Sequence, residues 1–237
     1  MKSKLVSSLL LLVTFFGILT HYQITPSSLI QLTVADESKN DSIEIDKVYS
    51  ENPEHHLFGF KSEGEQIIPF DFQTNLCGTP LELDFFPHLL GFSKDEKNVF
   101  AVNKNSFELV QINLENVQVF PIVTLMGVPN QWAISKDDLH VYFTYLNDSN
   151  IWHIDLTQKK LENFYSLKKN IKNLRLQPDN SKLYISYENC TDIDCLILGS
   201  KEKNNLACLE SNIISFSPTL DGQKLIISLE NKEDLMV

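Results

Sequence analysis

The chain holds a single arginine, Arg175, and only eight glycines. Neither G-x-G-x-x-G nor G-x-x-x-x-G-K occurs among those glycines, so nucleotide chemistry lacks its usual phosphate cradle. Positive charge is scarce as well: 20 Lys and Arg stand against 31 Asp and Glu, a net charge of −11. That balance repels a phosphate backbone and excludes nucleic acid as a partner. There is no G-x-S-x-G elbow, no H-E-x-x-H helix, and no carboxylate pair that stands out from the acidic background, so no recognisable catalytic set is present. The four cysteines have no C-x-x-C spacing, which weakens zinc and thioredoxin-like readings. What remains, 43% hydrophobic and 10% aromatic residues over 237 positions, is enough for one substantial core.

The one long apolar run is Leu5 to Leu19, preceded by Lys2 and Lys4. This is the layout of a signal peptide over residues 1–20, and it is short for a transmembrane span. Thr20-His21-Tyr22-Gln23 offers no small-x-small cleavage site, so a retained anchor over residues 5–19 stays open, as does a buried strand. The expected location is secreted or extracytoplasmic, with membrane contact only if the segment is uncleaved. In such an oxidising compartment Cys77, Cys190, Cys195 and Cys208 allow three pairings.

The chain repeats. Asp95, Asp137, Asp179 and Asp221 are each 42 residues apart. They follow Phe92-Ser93-Lys94, Ile134-Ser135-Lys136, Leu176-Gln177-Pro178 and, with Thr219-Leu220 read as an insertion, Phe216-Ser217-Pro218. Four residues past each Asp a short apolar strand begins, a third strand recurs as Ile151-Trp152-His153-Ile154-Asp155-Leu156 and its equivalents, and a fourth ends at Leu83, Leu125, Leu167 and Leu209. Four short strands per unit, with no helical periodicity between units, predict an all-β fold: a β-propeller of 42-residue four-stranded blades. The units fall at about 43–84, 85–126, 127–168, 169–210 and 211–237, about five blades with the last unfinished. Segment 21–42 supplies the run Leu29 to Val34, expected to close the last blade, and an acidic linker. A truncated propeller that needs a partner chain is the rival reading.

These units resemble the WD-like repeats of TolB-type, YVTN-type and dipeptidyl-peptidase N-terminal propellers, whose pattern is roughly apolar-Ser-Pro-Asp-Gly, a strand, then Ile-Trp-x-Ile-Asp-Leu. The resemblance covers about residues 43–237. Pro-Asp-Gly is never intact here, and the Gly-His and Trp-Asp marks of true WD repeats are missing. Such a resemblance implies the fold more than the function, because propellers of this kind include receptors, scaffolds, transport accessories and a minority of enzymes.

The four repeated Asp residues read as turn residues, each able to hydrogen-bond its own backbone two residues on. His55-His56, beside Glu51 and Glu54, read as a solvated turn rather than a metal site. Trp132 and Trp152 read as core. Cys195 and Cys208 replace unlike residues in the same blade, which suggests a cross-strand disulfide between them, with Cys190–Cys195 as competitor. Arg175 stands in a column otherwise holding Gly91, Ala133 and Ser215. It suits either an ion pair with a neighbouring blade or a bidentate anionic ligand.

The resemblance implies ligand binding at the channel mouth, where Glu63, His88, Gln131, Asn147, Asp148, Glu188, Asp192 and Glu210 form an acidic, amide-rich rim. The binding set is therefore Glu63, His88, Gln131, Asp148, Arg175, Glu188 and Asp192, without a cofactor. The expected function is an exported, non-catalytic module that binds a protein or a small polar or cationic ligand. The alternative is a propeller lactonase or metal-dependent hydrolase, using a divalent cation held by rim carboxylates and His88.

Overall fold

The computed structural model describes residues 33–34, 43–44, 47–49, 58–71, 76–93, 95, 97–219 and 221–230, with side chains from residue 62 onward except 70 and 71. The Leu5–Leu19 run, most of segment 21–42, His55-His56 and residues 235–237 lie outside the described residues, and with them the signal, anchor and linker expectations. Every described element is a β-strand. In chain order they are β1 (Thr33–Val34), β2 (Ile43–Glu44), β3 (Lys47–Tyr49), β4 (Phe58–Glu63), β5 (Gln66–Asp71), β6 (Leu76–Cys77), β7 (Leu81–Glu82), β8 (Pro87–Phe92), β9 (Asn98–Asn103), β10 (Glu108–Asn113) and β11 (Val119–Thr124). They continue as β12 (Gln131–Ile134), β13 (His140–Thr144), β14 (Asn150–Asp155), β15 (Lys160–Ser166), β16 (Ile171–Leu176), β17 (Lys182–Tyr187), β18 (Asp192–Ile197), β19 (Glu202–Cys208), β20 (Ile213–Pro218) and β21 (Leu225–Leu229).

Three four-stranded sheets, β8 to β11, β12 to β15 and β16 to β19, each run in chain order. Before them lies the β3–β4–β5–β6 sheet with β7 also on β5, and after them the β20–β21 pair. All pairings are antiparallel, as short hairpin connections require. The first strands lie beside one another: β12 contacts β8 and β16, and β16 contacts β20.

Side-chain alternation explains the stacking. In β9, Phe100 and Val102 join Val141 and Phe143 of β13 in one core, while Val99 and Ala101 join Ile67 in another. In β17, Leu183 and Ile185 face back toward Ile171 and Tyr142, and Tyr184 faces forward with Ile193, Ile213 and Phe216. A strand apolar on both faces belongs to a sheet covered on both sides, and the core sits between successive sheets. Phe143, wholly buried, contributes about 1.5–3 kcal/mol through its removal from water.

The hairpins are built alike. Ser93, Ser135 and Thr219 donate their hydroxyls to Asp95, Asp137 and Asp221. Each carboxylate also accepts the backbone N–H two residues on, from Lys97, Leu139 and Gln223. Asp179 does the same with Ser181, and takes the Gln177 amide in place of a hydroxyl. These acids are turn residues. The N–H groups of Ser93, Ser135, Gln177 and Thr219 bond the carbonyls of Asn98, His140, Lys182 and Lys224, so Thr219 takes the place of Ser135 and there is no insertion before Asp221. Pro218 pairs with Leu225 as Leu176 does with Leu183. The residue equivalent to Arg175 in the last sheet is thereby Ser217, not Ser215.

Among the described residues Thr33–Val34 pairs with Ile43–Glu44 and β20 with β21; residues 235–237, where a third strand of the last blade is expected, lie outside them. All four cysteines stand as thiols in this structure, and the ladder register bears on which of them share a face. Cys195 lies opposite Asn204 and Cys208 opposite Asp192. Cys195 packs forward with Ile193 and Phe216, whereas Asp192 and Cys208 project from the other face of the sheet. Sequence columns mark which residues share a strand position, and the ladder register decides which face they share.

Candidate functional site

At the first strands the structure brings Arg175 of β16 to Gln131 of β12. Nη1 of Arg175 donates to Gln131 Oε1 at 3.1 Å and to the Leu174 carbonyl at 2.8 Å. No carboxylate pairs with it among the described residues. Burial alone pushes the guanidinium pKa below its ordinary value, yet the group stays charged at neutral pH. Arg175 is partly exposed. It therefore combines a desolvated charge, neutral partners and an open side.

The neighbouring first strands are tied by polar contacts of the same kind. Trp132 Nε1 donates to the Leu90 carbonyl at 2.5 Å, and His88 meets the Trp132 ring edge-on at 5.0 Å. Asn173, almost wholly buried, donates to Ser186 Oγ at 2.9 Å and to the Ile214 carbonyl at 3.2 Å. Trp132 is half-buried and packs against the core between β8–β11 and β12–β15.

Two rim carboxylates are committed to local structure. Asp148 accepts the Asn150 N–H at 3.0 Å, the Asn150 side-chain amide at 2.8 Å and the Trp152 indole N–H at 2.9 Å. Asp192 pairs with Lys169 at 2.8 Å. The Lys169 ammonium first, then the thiols of Cys190 and Cys208, push its pKa down to about 2. Glu188 follows the end of β17 and its N–H bonds the Asn170 carbonyl. Glu63 closes β4 at the turn before β5. Of the expected set, Arg175 and Gln131 are joined by a direct bond. No group of three or more His, Cys, Asp or Glu arranged for a metal ion occurs among the described residues.

Sequence reasoning missed two clusters. The buried Asp194 accepts from Tyr187 Oη at 2.5 Å, from Asn205 at 3.1 Å and from the Lys203 ammonium. Burial opposes its ionisation, but Lys203, Tyr187 and Asn205 together hold the carboxyl below its ordinary pKa. On the β12–β15 sheet, His140 Nδ1 and His153 Nε2 lie 3.1 Å apart, and His153 Nδ1 is 3.3 Å from Glu162 Oε1. Burial lowers the His153 pKa, with Glu162 opposing. A signal was present for Asp194: its column holds Ile68, Val110 and Trp152, and a carboxylate in an apolar column needs partners.

No family model matches the chain, and no curated protein matches it. Solved structures do. The chain is similar to the hydrazine synthase of Kuenenia stuttgartiensis, with a TM-score of 0.56 and 17% identity over 73% of this chain and 51% of that one. It is also similar to the dihydro-heme d1 dehydrogenase NirN in complex with DHE, with a TM-score of 0.58 and 13% identity over 84% of this chain and 45% of that one. The chain thus spans about half the length of each. Both neighbours are β-propeller proteins, and with the four-stranded antiparallel sheets they show a propeller fold. At such identity the likeness carries the fold alone.

Proposed function

We propose that the chain is an exported, non-catalytic β-propeller of five 42-residue, four-stranded blades that serves as a binding module, without a cofactor. Its ligand, a small molecule or a protein segment, presents an anionic group to Arg175 beside Gln131. The observation that carries this reading is the Arg175 guanidinium, desolvated, partly open, and answered among the described residues by the neutral Gln131 and Leu174 oxygens. A buried charge without a counter-charge is costly. A carboxylate or phosphate arriving at the free edge of the guanidinium forms two parallel hydrogen bonds and neutralises that charge. Asp148 and Asp192 are held by Trp152 and Lys169, so the rim gives a cation less purchase than its composition suggests.

The test is calorimetric titration of the full chain with succinate and with inorganic phosphate, in parallel with Arg175→Met. Saturable binding of one anion, weakened at least about tenfold in Arg175→Met, is the expected result. Equal binding by both proteins, or none by the wild type, would refute the reading.

A further inference from the structure

We propose that Cys190 and Cys208 form a disulfide that staples the end of the edge strand β19 to the turn between β17 and β18. Two placements point to the pair. Cys208 lies directly opposite Asp192 in the β18–β19 ladder, and directly opposed residues project from the same face. Cys190 stands two residues before Asp192, its Sγ 3.1 Å from Asp192 Oδ2. The Cys208 Sγ is 3.6 Å from Oγ1 of Thr191, the residue between Cys190 and Asp192. Both sulfurs thus lie beside the Thr191–Asp192 segment, while Cys195 packs on the opposite face of the sheet. Of the pairings that four cysteines permit, this is the one the sheet brings onto a single face.

The surroundings suit thiol chemistry. Cys208 is exposed and Cys190 partly so, so a small disulfide in solution can reach them, and Lys169 Nζ lies 3.1 Å from Cys190 Sγ. With a low-molecular-weight disulfide such as oxidised glutathione as oxidant, the Cys190 thiolate attacks one glutathione sulfur and expels glutathione thiolate. The Cys208 thiolate then attacks the Cys190 sulfur of the mixed disulfide and expels the second glutathione. Two protein thiols are oxidised, one glutathione disulfide is reduced, and the two thiol protons go to the departing thiolates. The bond encloses the whole β18–β19 hairpin and so restricts the unfolded chain. It also covalently fixes the last strand of the sheet, which among the described strands pairs with β18.

This inference rests on the exported reading only for the presence of an oxidant in the protein's own setting, and the experiment separates the two. The purified full chain is equilibrated with a reduced and oxidised glutathione buffer, then mapped by non-reducing peptide mass spectrometry. Peptides containing Cys190 and Cys208 should be linked, with the mass lowered by two hydrogens. The oxidised form should melt about 5 °C or more above the reduced form. The link should survive in Cys195→Ser and vanish in Cys208→Ser. Stable glutathione adducts on Cys190 and Cys208, or a bridge involving Cys77 or Cys195, would overturn the proposal. A link that forms in the buffer but is absent from protein secreted by the expressing cells would count against the exported reading alone.

Discussion

Eight glycines are too few for the tight turns of so many hairpins, and other residues take the left-handed positions. Asp138, Asn180 and Gly222 occupy one equivalent turn with φ of 58°, 61° and 66°. Asn147 and Asn189 share another, and Val117, Lys159 and Lys201 a third. Asn and Asp tolerate that region, and a β-branched valine does not. Gly222 is further constrained by its neighbour, since an added Cβ would lie 3.0 Å from Gln177 Nε2. Gly222→Ala is expected to destabilise by about 1–2 kcal/mol. Val117→Gly, by removing strain, should stabilise by about 0.5 kcal/mol after the added entropy of the unfolded chain. Denaturant midpoints of the two variants check both signs, and a stabilised Gly222→Ala would contradict the turn geometry. The repeated acid was legible because one residue type recurs at it. The left-handed positions were not, because Asp, Asn, Gly, Val and Lys all fill them.

Within an element, the polar contacts set how stability depends on pH. The pKa values of Asp95, Asp137, Asp179 and Asp221 are lowered, chiefly by the side-chain bonds from Ser93, Ser135, Ser181 and Thr219. A carboxyl with a folded pKa below its unfolded value of about 4 stabilises the protein above that pH, and the contribution is lost as pH falls through the folded pKa. Asp192 extends this window down to about 2. His153 acts earlier. Burial lowers its pKa, so the unfolded chain binds the proton more readily, and stability declines as pH falls from about 6.5 toward the folded pKa. Melting temperature should therefore fall in two steps on acidification. His153→Gln should flatten the first, and Asp137→Asn should make the second shallower. A His153→Gln profile that follows the wild type between pH 7 and 5 would show that the imidazole is not titrating in its buried site. His140, His153 and Glu162 come together through the pairings of β13, β14 and β15, contacts that a linear reading does not supply.

For the whole molecule, the legible part was the architecture, and the reason is physical. A blade buries both faces against its neighbours, so every blade repeats the same apolar positions and the same turn, and the period is written in the chain. The site was less legible, because Arg175 meets Gln131 across two sheets, and register alone separates Cys195 from Cys208. The same shared cores govern unfolding. Phe143 and Val141 complete a core with Phe100 and Leu90 of the preceding sheet. Trp132 bonds Leu90, the Lys136 N–H bonds Asn180, and Asn173 bonds Ile214, each across a sheet boundary. Neighbours coupled in this way lose stability together, so the full chain should melt in a single transition. Phe143→Ala should lower that transition by about 3–5 kcal/mol rather than split it. The measurement is calorimetry at several protein concentrations, alongside size by sedimentation. A concentration-independent midpoint for a compact monomer means that the described sheets stabilise one another within a single chain. A midpoint that rises with concentration means that the outermost sheets are completed by a second chain, and binding to Arg175 should then be measured on that assembly.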